Sequence, residues 1–222
     1  MRIDHVSLAT GRVRLPHRLI SEVNALPAPE LNLAVRARRG TARRIELAWP
    51  SSVPEGGRHG FECADRSPFD SALDGVAERV SDHLSTGRPV LVIGHEEFMY
   101  LPLRAAESLA ARGWTVLFQS STRSPAYVYD AAGYPLRRGF QFSACEPGED
   151  APRFLYNGWP THDTDADPQL VLMVDQAADT VRLRESGGVV DVLTTAGYDV
   201  LVAAVHGPDA ARLAAERREA SS

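Results

Sequence analysis

The chain has 222 residues, 44% of them apolar, and a formal net charge of −5; that allows one large domain, or one with a small appendage, and excludes a disordered chain. The charge gives no footing for general nucleic-acid binding, and no apolar run approaches the ~20 residues of a membrane span. All 24 basic residues are arginine, which excludes Schiff-base catalysis, a covalently held pyridoxal cofactor and a P-loop lysine.

The start, Met1-Arg2-Ile3-Asp4-His5, lacks the apolar stretch of an export signal, so a soluble, cytoplasmic protein is expected. Residues 1–66 read as an N-terminal extension to an α/β domain spanning 67–222. Residues 31–35 and 45–49 suit short strands. The basic stretch between them, with Arg36, Arg38, Arg39, Arg43 and Arg44, reads as the solvated tip of a hairpin. Residues 49–60, rich in Pro, Ser and Gly, are expected to be a loop. Cys63 and Cys145 have no Cys-x-x-Cys spacing and read as two free thiols.

Ser67-Pro68-Phe69-Asp70 has the cap, the first-position proline and the early acid of a helix start. Leu73, Val76, Ala77, Val80 and Leu84 mark one helical face, and Gly87 is placed to stop it. Residues 89–93 are apolar without alternation, as a strand covered on both faces should be. Met99, Leu103, Ala106, Leu109 and Ala110 form the next helical stripe, closed by Gly113. Further buried strands are predicted at 114–118, 170–174 and 200–205, with a helical segment at 177–193, interrupted or ended near Gly187-Gly188, and a helix at 208–218. Residues 127–160 break the pattern and suit an antiparallel hairpin or a lid. The repeated strand–helix–strand unit predicts an α/β fold: a mostly parallel Rossmann-like sheet with helices on both faces, plus a small irregular or β N-terminal region.

Open parallel sheets bind ligands outside the carboxyl ends of their strands. The segments placed there are Gly94-His95-Glu96-Glu97, Ser120-Ser121-Thr122-Arg123-Ser124, Asp175-Gln176 and His206-Gly207. Gly94 allows a tight exit from its strand. Glu96 and Glu97, in the first turn of the next helix, would satisfy its dipole and favour a hydroxyl, an amine or a metal over an anion. Ser120, Ser121, Thr122, Ser124 and the fork of Arg123 suit phosphate or carboxylate instead. The expected pocket is bipartite, with ligand hydroxyls read by Glu96 or Glu97 and an anionic group held by Arg123. Asp175 adds a further contact. In a catalytic version Glu96 or Glu97 is the base and His95 assists. The plainer readings are ordinary helix acids, a Ser/Thr/Pro turn and a structural histidine, with His206 only leading into the last helix. Residues 161–167 alternate acids but lack a calcium loop's glycine and closing glutamate, so no metal ligand is assigned.

Three ordered blocks carry a resemblance: Gly94-His95-Glu96-Glu97-Phe98-Met99-Tyr100-Leu101-Pro102-Leu103-Arg104, Phe118-Gln119-Ser120-Ser121-Thr122-Arg123-Ser124-Pro125 and Phe154-Leu155-Tyr156-Asn157. Together they resemble the bacterial TRSP domain, a family named after the tetrapeptide found here at Thr122 to Pro125. The resemblance covers residues 66–205. It implies a domain that follows a phosphoribosyltransferase-like domain, in gene neighbourhoods linked to tellurite resistance and stress response, where a nucleoside-like metabolite is made or processed. Residues 1–66 are too short for that transferase, which is then expected as a separate chain. The expected function is binding of a ribose-phosphate-like or nucleotide ligand beside that enzyme. One alternative is a non-catalytic subunit that docks on it and modulates it. Another is a metal-dependent hydrolase using His95, the glutamates and Asp175. No cofactor is assigned, and neither nucleic acid nor a membrane is an expected partner.

Overall fold

The computed structural model describes residues 9–160 and 166–220. In chain order it contains α1 (Leu19–Asn24), β1 (Ala42–Leu47), α2 (Arg66–Ser81), β2 (Val90–Gly94), α3 (Tyr100–Ala111) and β3 (Val116–Ser120). There follow β4 (Gly139–Phe142), β5 (Arg153–Tyr156), β6 (Gln169–Asp175), α4 (Val189–Thr195), β7 (Asp199–Val205) and α5 (Ala210–Ala220). Five strands form one sheet in the order β1-β7-β6-β2-β3, and every neighbouring pair is parallel.

The runs without alternation become strands with no wet face, and every residue of β2 and β6 is buried. Successive side chains point to opposite layers. Val90, Val92, Val171 and Met173 pack with Phe69, Leu73, Val76 and Val80 of α2 and Leu101, Ala105 and Leu109 of α3. Leu91, Ile93, Leu170, Leu172 and Val174 pack with Val189, Val190 and Leu193 of α4 and with Phe140, Phe142 and Leu155 of the β4–β5 pair. Each fully buried Leu, Ile or Val contributes on the order of 1.5–3 kcal/mol to holding these layers together. The antiparallel β4–β5 pair answers the expected hairpin and packs on one face of the sheet.

Several elements differ from the sequence reading. No hairpin forms over 31–49 among the described residues: β1 begins within the basic stretch and pairs parallel with β7. The arginines there are ion-paired across the chain, Arg36 to Asp167, Arg38 to Asp199, Arg39 to Asp191 and Arg44 to Asp179, so the stretch is a pinned edge rather than a solvated tip. In α2, Pro68 is the third helical residue rather than the first, still among the four whose N–H has no helical partner. In α3 the buried face is Leu101, Pro102, Ala105, Ala106 and Leu109, which leaves Met99 and Leu103 exposed. The helical segment expected over 177–193 is indeed interrupted near Gly187-Gly188, but its first part is only a 3₁₀ turn at Val181–Leu183, and Gly188 caps the start of α4. Residues 161–165 of the acidic stretch lie outside the described residues. Both cysteines are free, Cys63 exposed and Cys145 buried. Among the described residues no helix is long and apolar enough to cross a membrane.

Candidate functional site

The strand order decides where the sheet opens. From β2 the chain crosses to β3 through α3 on one face, and from β6 it crosses to β7 through α4 on the other. Their loops diverge, so a crevice lies between the carboxyl ends of β2 and β6, the switch point where ligands of such sheets bind. His95 and Glu96 leave β2 there, and Asp175 closes β6. His95 N–H donates to the carbonyl of Met173 (3.1 Å), tying the two strand ends together.

The path out of β2 is a tight turn, not the helix start expected from the sequence. Phe98 N–H donates to His95 O (3.0 Å) and Met99 N–H to Glu97 O (2.9 Å), and α3 begins only at Tyr100. Glu96 and Glu97 are therefore not first-turn helix acids. Gly94 is required because a Cβ there would collide with the carbonyl of Phe98. Glu96 takes a left-handed backbone, φ 50°, which costs a non-glycine residue about 1–2 kcal/mol. Its buried carboxylate meets two guanidinia: Arg123 Nε–H donates to Oε2 (2.6 Å) and Arg153 Nε–H to Oε1. The two predicted loops thus meet, but Arg123 contacts Glu96 directly instead of facing it across a cavity. Glu97 is exposed, 3.4 Å from Arg123.

Ser121 is buried beneath them, its Oγ accepting from Glu96 N–H (2.9 Å) and lying 3.3 Å from His95 Nδ1. Ser120 ends β3 in register with Gly94. Thr122 bridges to Phe154 of β5, and its Oγ1 accepts from the Ser124 N–H (3.1 Å), a local turn. Asp175 accepts from Ala178 N–H (3.0 Å) and from Arg58 Nε–H. His206 stands apart, 2.8 Å from Asp179.

Four residues join the site unforeseen. Arg153, fully buried, holds Glu96 and Glu149. Arg58 links Asp175 to Glu146, and its own N–H donates to Glu55 Oε1 (2.9 Å). Glu146 faces His95, the Oε2 and Nε2 atoms 3.8 Å apart. An arginine heading the apolar run Phe154-Leu155-Tyr156 was the one local signal; Glu55, Arg58 and Glu146 sit in loops with nothing to mark them.

Burial opposes the charge on His95, but Cys145 and Glu146 beside it outweigh that and push its pKa up to about 9. The same contact, against opposing desolvation, holds the Glu146 carboxyl down at about 2, with Arg58 contributing. Toward solvent, Glu55, Arg58, His59, Asp175, Gln176 and Gly207 line a cleft of about 330 Å³ at the ends of β6 and β7. That volume suits a small ligand. Its polar groups are two carboxylates, which accept from hydroxyls, a guanidinium, which donates to anions, and the side chains of His59 and Gln176.

Residues 55–193 match the TRSP domain, described as C-terminal to a phosphoribosyltransferase domain, and the chain belongs to that family. The match leaves out β1 and β7. No curated protein matches the chain. Among solved structures, it is similar to an adenine phosphoribosyltransferase of Giardia lamblia complexed with 9-deazaadenine, at 16% identity and a TM-score of 0.39, covering 75% of this chain and 86% of that one. A second, from Trypanosoma brucei with AMP, pyrophosphate and ribose-5-phosphate, gives 12% identity and a TM-score of 0.31, covering 69% and 74%. At these scores the likeness adds nothing to the fold read from the strand pairings.

Proposed function

We propose that this chain binds a small phosphorylated sugar or nucleotide at the carboxyl ends of β2, β6 and β7. It would act in the cytoplasm beside a phosphoribosyltransferase, in a stress-response pathway of the tellurite-resistance type. The observation that carries the reading is the cleft of about 330 Å³ where Glu55 and Asp175 adjoin Arg58. The acids would read ribose hydroxyls, and Arg58 would hold the anionic group. Arg123, whose side chain is 52% exposed, would add a second cationic contact from the far side of Glu96. Glu96, held by two arginines, takes no part in reading this ligand, and the exposed Glu97, beside Arg123, would accept a hydroxyl.

Isothermal titration with ribose 5-phosphate, AMP and inorganic phosphate tests this. The folded protein should bind one of the phosphorylated sugars, and Arg58→Ala should weaken it at least tenfold, with thermal unfolding showing that the variant still folds. No binding by any of the three probes would overturn the reading. The alternative, a non-catalytic subunit docking on a separate phosphoribosyltransferase, rests on β3, the outermost strand on its side, where Leu117 is 40% exposed.

A further inference from the structure

We propose that His95, Glu96 and Glu146 form a binding site for one divalent transition-metal ion in the floor of the crevice. One ligand atom from each, an imidazole nitrogen and two carboxylate oxygens, lie within 4.8 Å of one another. His95 Nε2 stands 3.4 Å from Glu96 Oε1 and 3.8 Å from Glu146 Oε2. An ion with bonds of ~2.1 Å in tetrahedral geometry holds its ligands roughly 3.4 Å apart. The atoms are spaced as co-ligands, and in the Glu146 case too widely for a hydrogen bond.

Burial points to the ion independently of the acids. His95 is 2% exposed, and its Nε2 has no hydrogen-bond partner among the described residues; Glu146 Oε2 is sealed off in the same way. Native proteins rarely leave such atoms unmatched, and a bound ion is one of the few things that accounts for them.

Each ligand is also oriented from behind, as metal ligands are. Ser121 Oγ lies 3.3 Å from His95 Nδ1, which leaves Nε2 as the ligand nitrogen. Arg58 donates to Glu146 Oε1 (3.1 Å), leaving Oε2, and Arg123 donates to Glu96 Oε2 (2.6 Å), leaving Oε1. Arg153 also donates to Glu96 Oε1, whose second lone pair can serve the ion.

The surrounding charge permits a cation. Glu55, Glu96, Glu97, Glu146, Glu149 and Asp175 outnumber Arg58, Arg123, Arg153 and Arg182, the last bonded to the carbonyls of Glu146 and Glu149. The ion takes the place of the imidazole proton, which leaves as it enters. One imidazole and two carboxylates suit zinc, cobalt or manganese better than magnesium or calcium, which take oxygen alone. The fourth position is left for water or a ligand oxygen. This site stands apart from the sugar-phosphate reading, because the ion is assayed with no other ligand present.

The test titrates Co²⁺ into the chelator-treated full chain and follows its visible absorption. The expected result is one equivalent per chain with the strong band of a tetrahedral site. Glu146→Gln should weaken binding at least tenfold, and His95→Asn should abolish it. His206→Ala, at an exposed histidine outside the cluster, should change nothing. Thermal unfolding without metal identifies any variant that has not folded, and Glu146→Gln decides if His95→Asn fails. No band from the folded wild-type protein, or a band that Glu146→Gln leaves intact, would overturn the site.

Discussion

At the amino-terminal end of the sheet, Asp199 opens β7 and accepts from Arg38 through both oxygens, from Arg88 and from Thr41, with solvent at hand. At the carboxyl end, Glu96 and Arg153 are shut away from solvent, and Glu55, His95 and Glu146 each keep a buried atom without a hydrogen-bond partner among the described residues. The first arrangement is closed around Asp199 and pins the strand ends, although His83 Nε2 and Asp167 Oδ1, the latter facing Arg36, are also buried there without a hydrogen-bond partner among the described residues. The second is left open at a cost to folding, since burying polar atoms unpaired is unfavourable. Such a cost is tolerated where a protein meets a ligand, because sites are not optimised for stability.

Substitutions at the two ends should separate them. The largest effect is expected at Arg153→Met, which leaves the buried Glu96 with Arg123 alone; losing one partner of a buried pair costs about 3–5 kcal/mol. Urea unfolding measures it, and adding Glu96→Gln should restore part of the loss by removing the stranded charge. A loss under ~1 kcal/mol would mean that the buried cluster is tied no better than a surface pair.

A smaller effect, about 1–2 kcal/mol, is expected for Asp199→Asn at neutral pH. Arg38, against a partial desolvation, holds the Asp199 carboxyl well below the usual carboxylate range, with Thr41 and Arg88 adding to it. A depressed folded pKa gives stability that is present above the unfolded value, ~4, and is lost as pH falls toward the folded value. Between roughly pH 4 and pH 2 the wild-type protein should therefore lose stability more steeply than Asp199→Asn. Parallel curves in that range would show that Asp199 is not a pinning point.

The central strands were legible because burial on both faces leaves β2, β6 and β7 almost wholly apolar. Edge strand β1 was legible only in part, at 45–49, since Ala42, Arg43, Arg44 and Glu46 are exposed and only Ile45 and Leu47 are buried. The start of α3 was misplaced because Gly94-His95-Glu96-Glu97 has the composition of a helix cap, while the left-handed Glu96 makes it a turn. His95, Glu96, Ser121, Arg123 and Asp175 could be found by position, following buried strands. Glu55, Arg58, Glu146 and Arg153 could not, because each reaches its partner across the fold: Arg153 is 57 residues from Glu96, and Arg58 117 from Asp175.

Glu55 offers the sharpest measurement. It is 2% exposed, with Oε1 accepting from Arg58 N–H and Oε2 unpartnered among the described residues. Glu55→Gln keeps the shape and that bond while removing the buried charge. Thermal unfolding and ribose 5-phosphate titration of this one variant are expected to show a melting temperature that holds or rises and an affinity at least tenfold weaker. A lower melting temperature with unchanged affinity would make the carboxyl end as purely structural as the amino end.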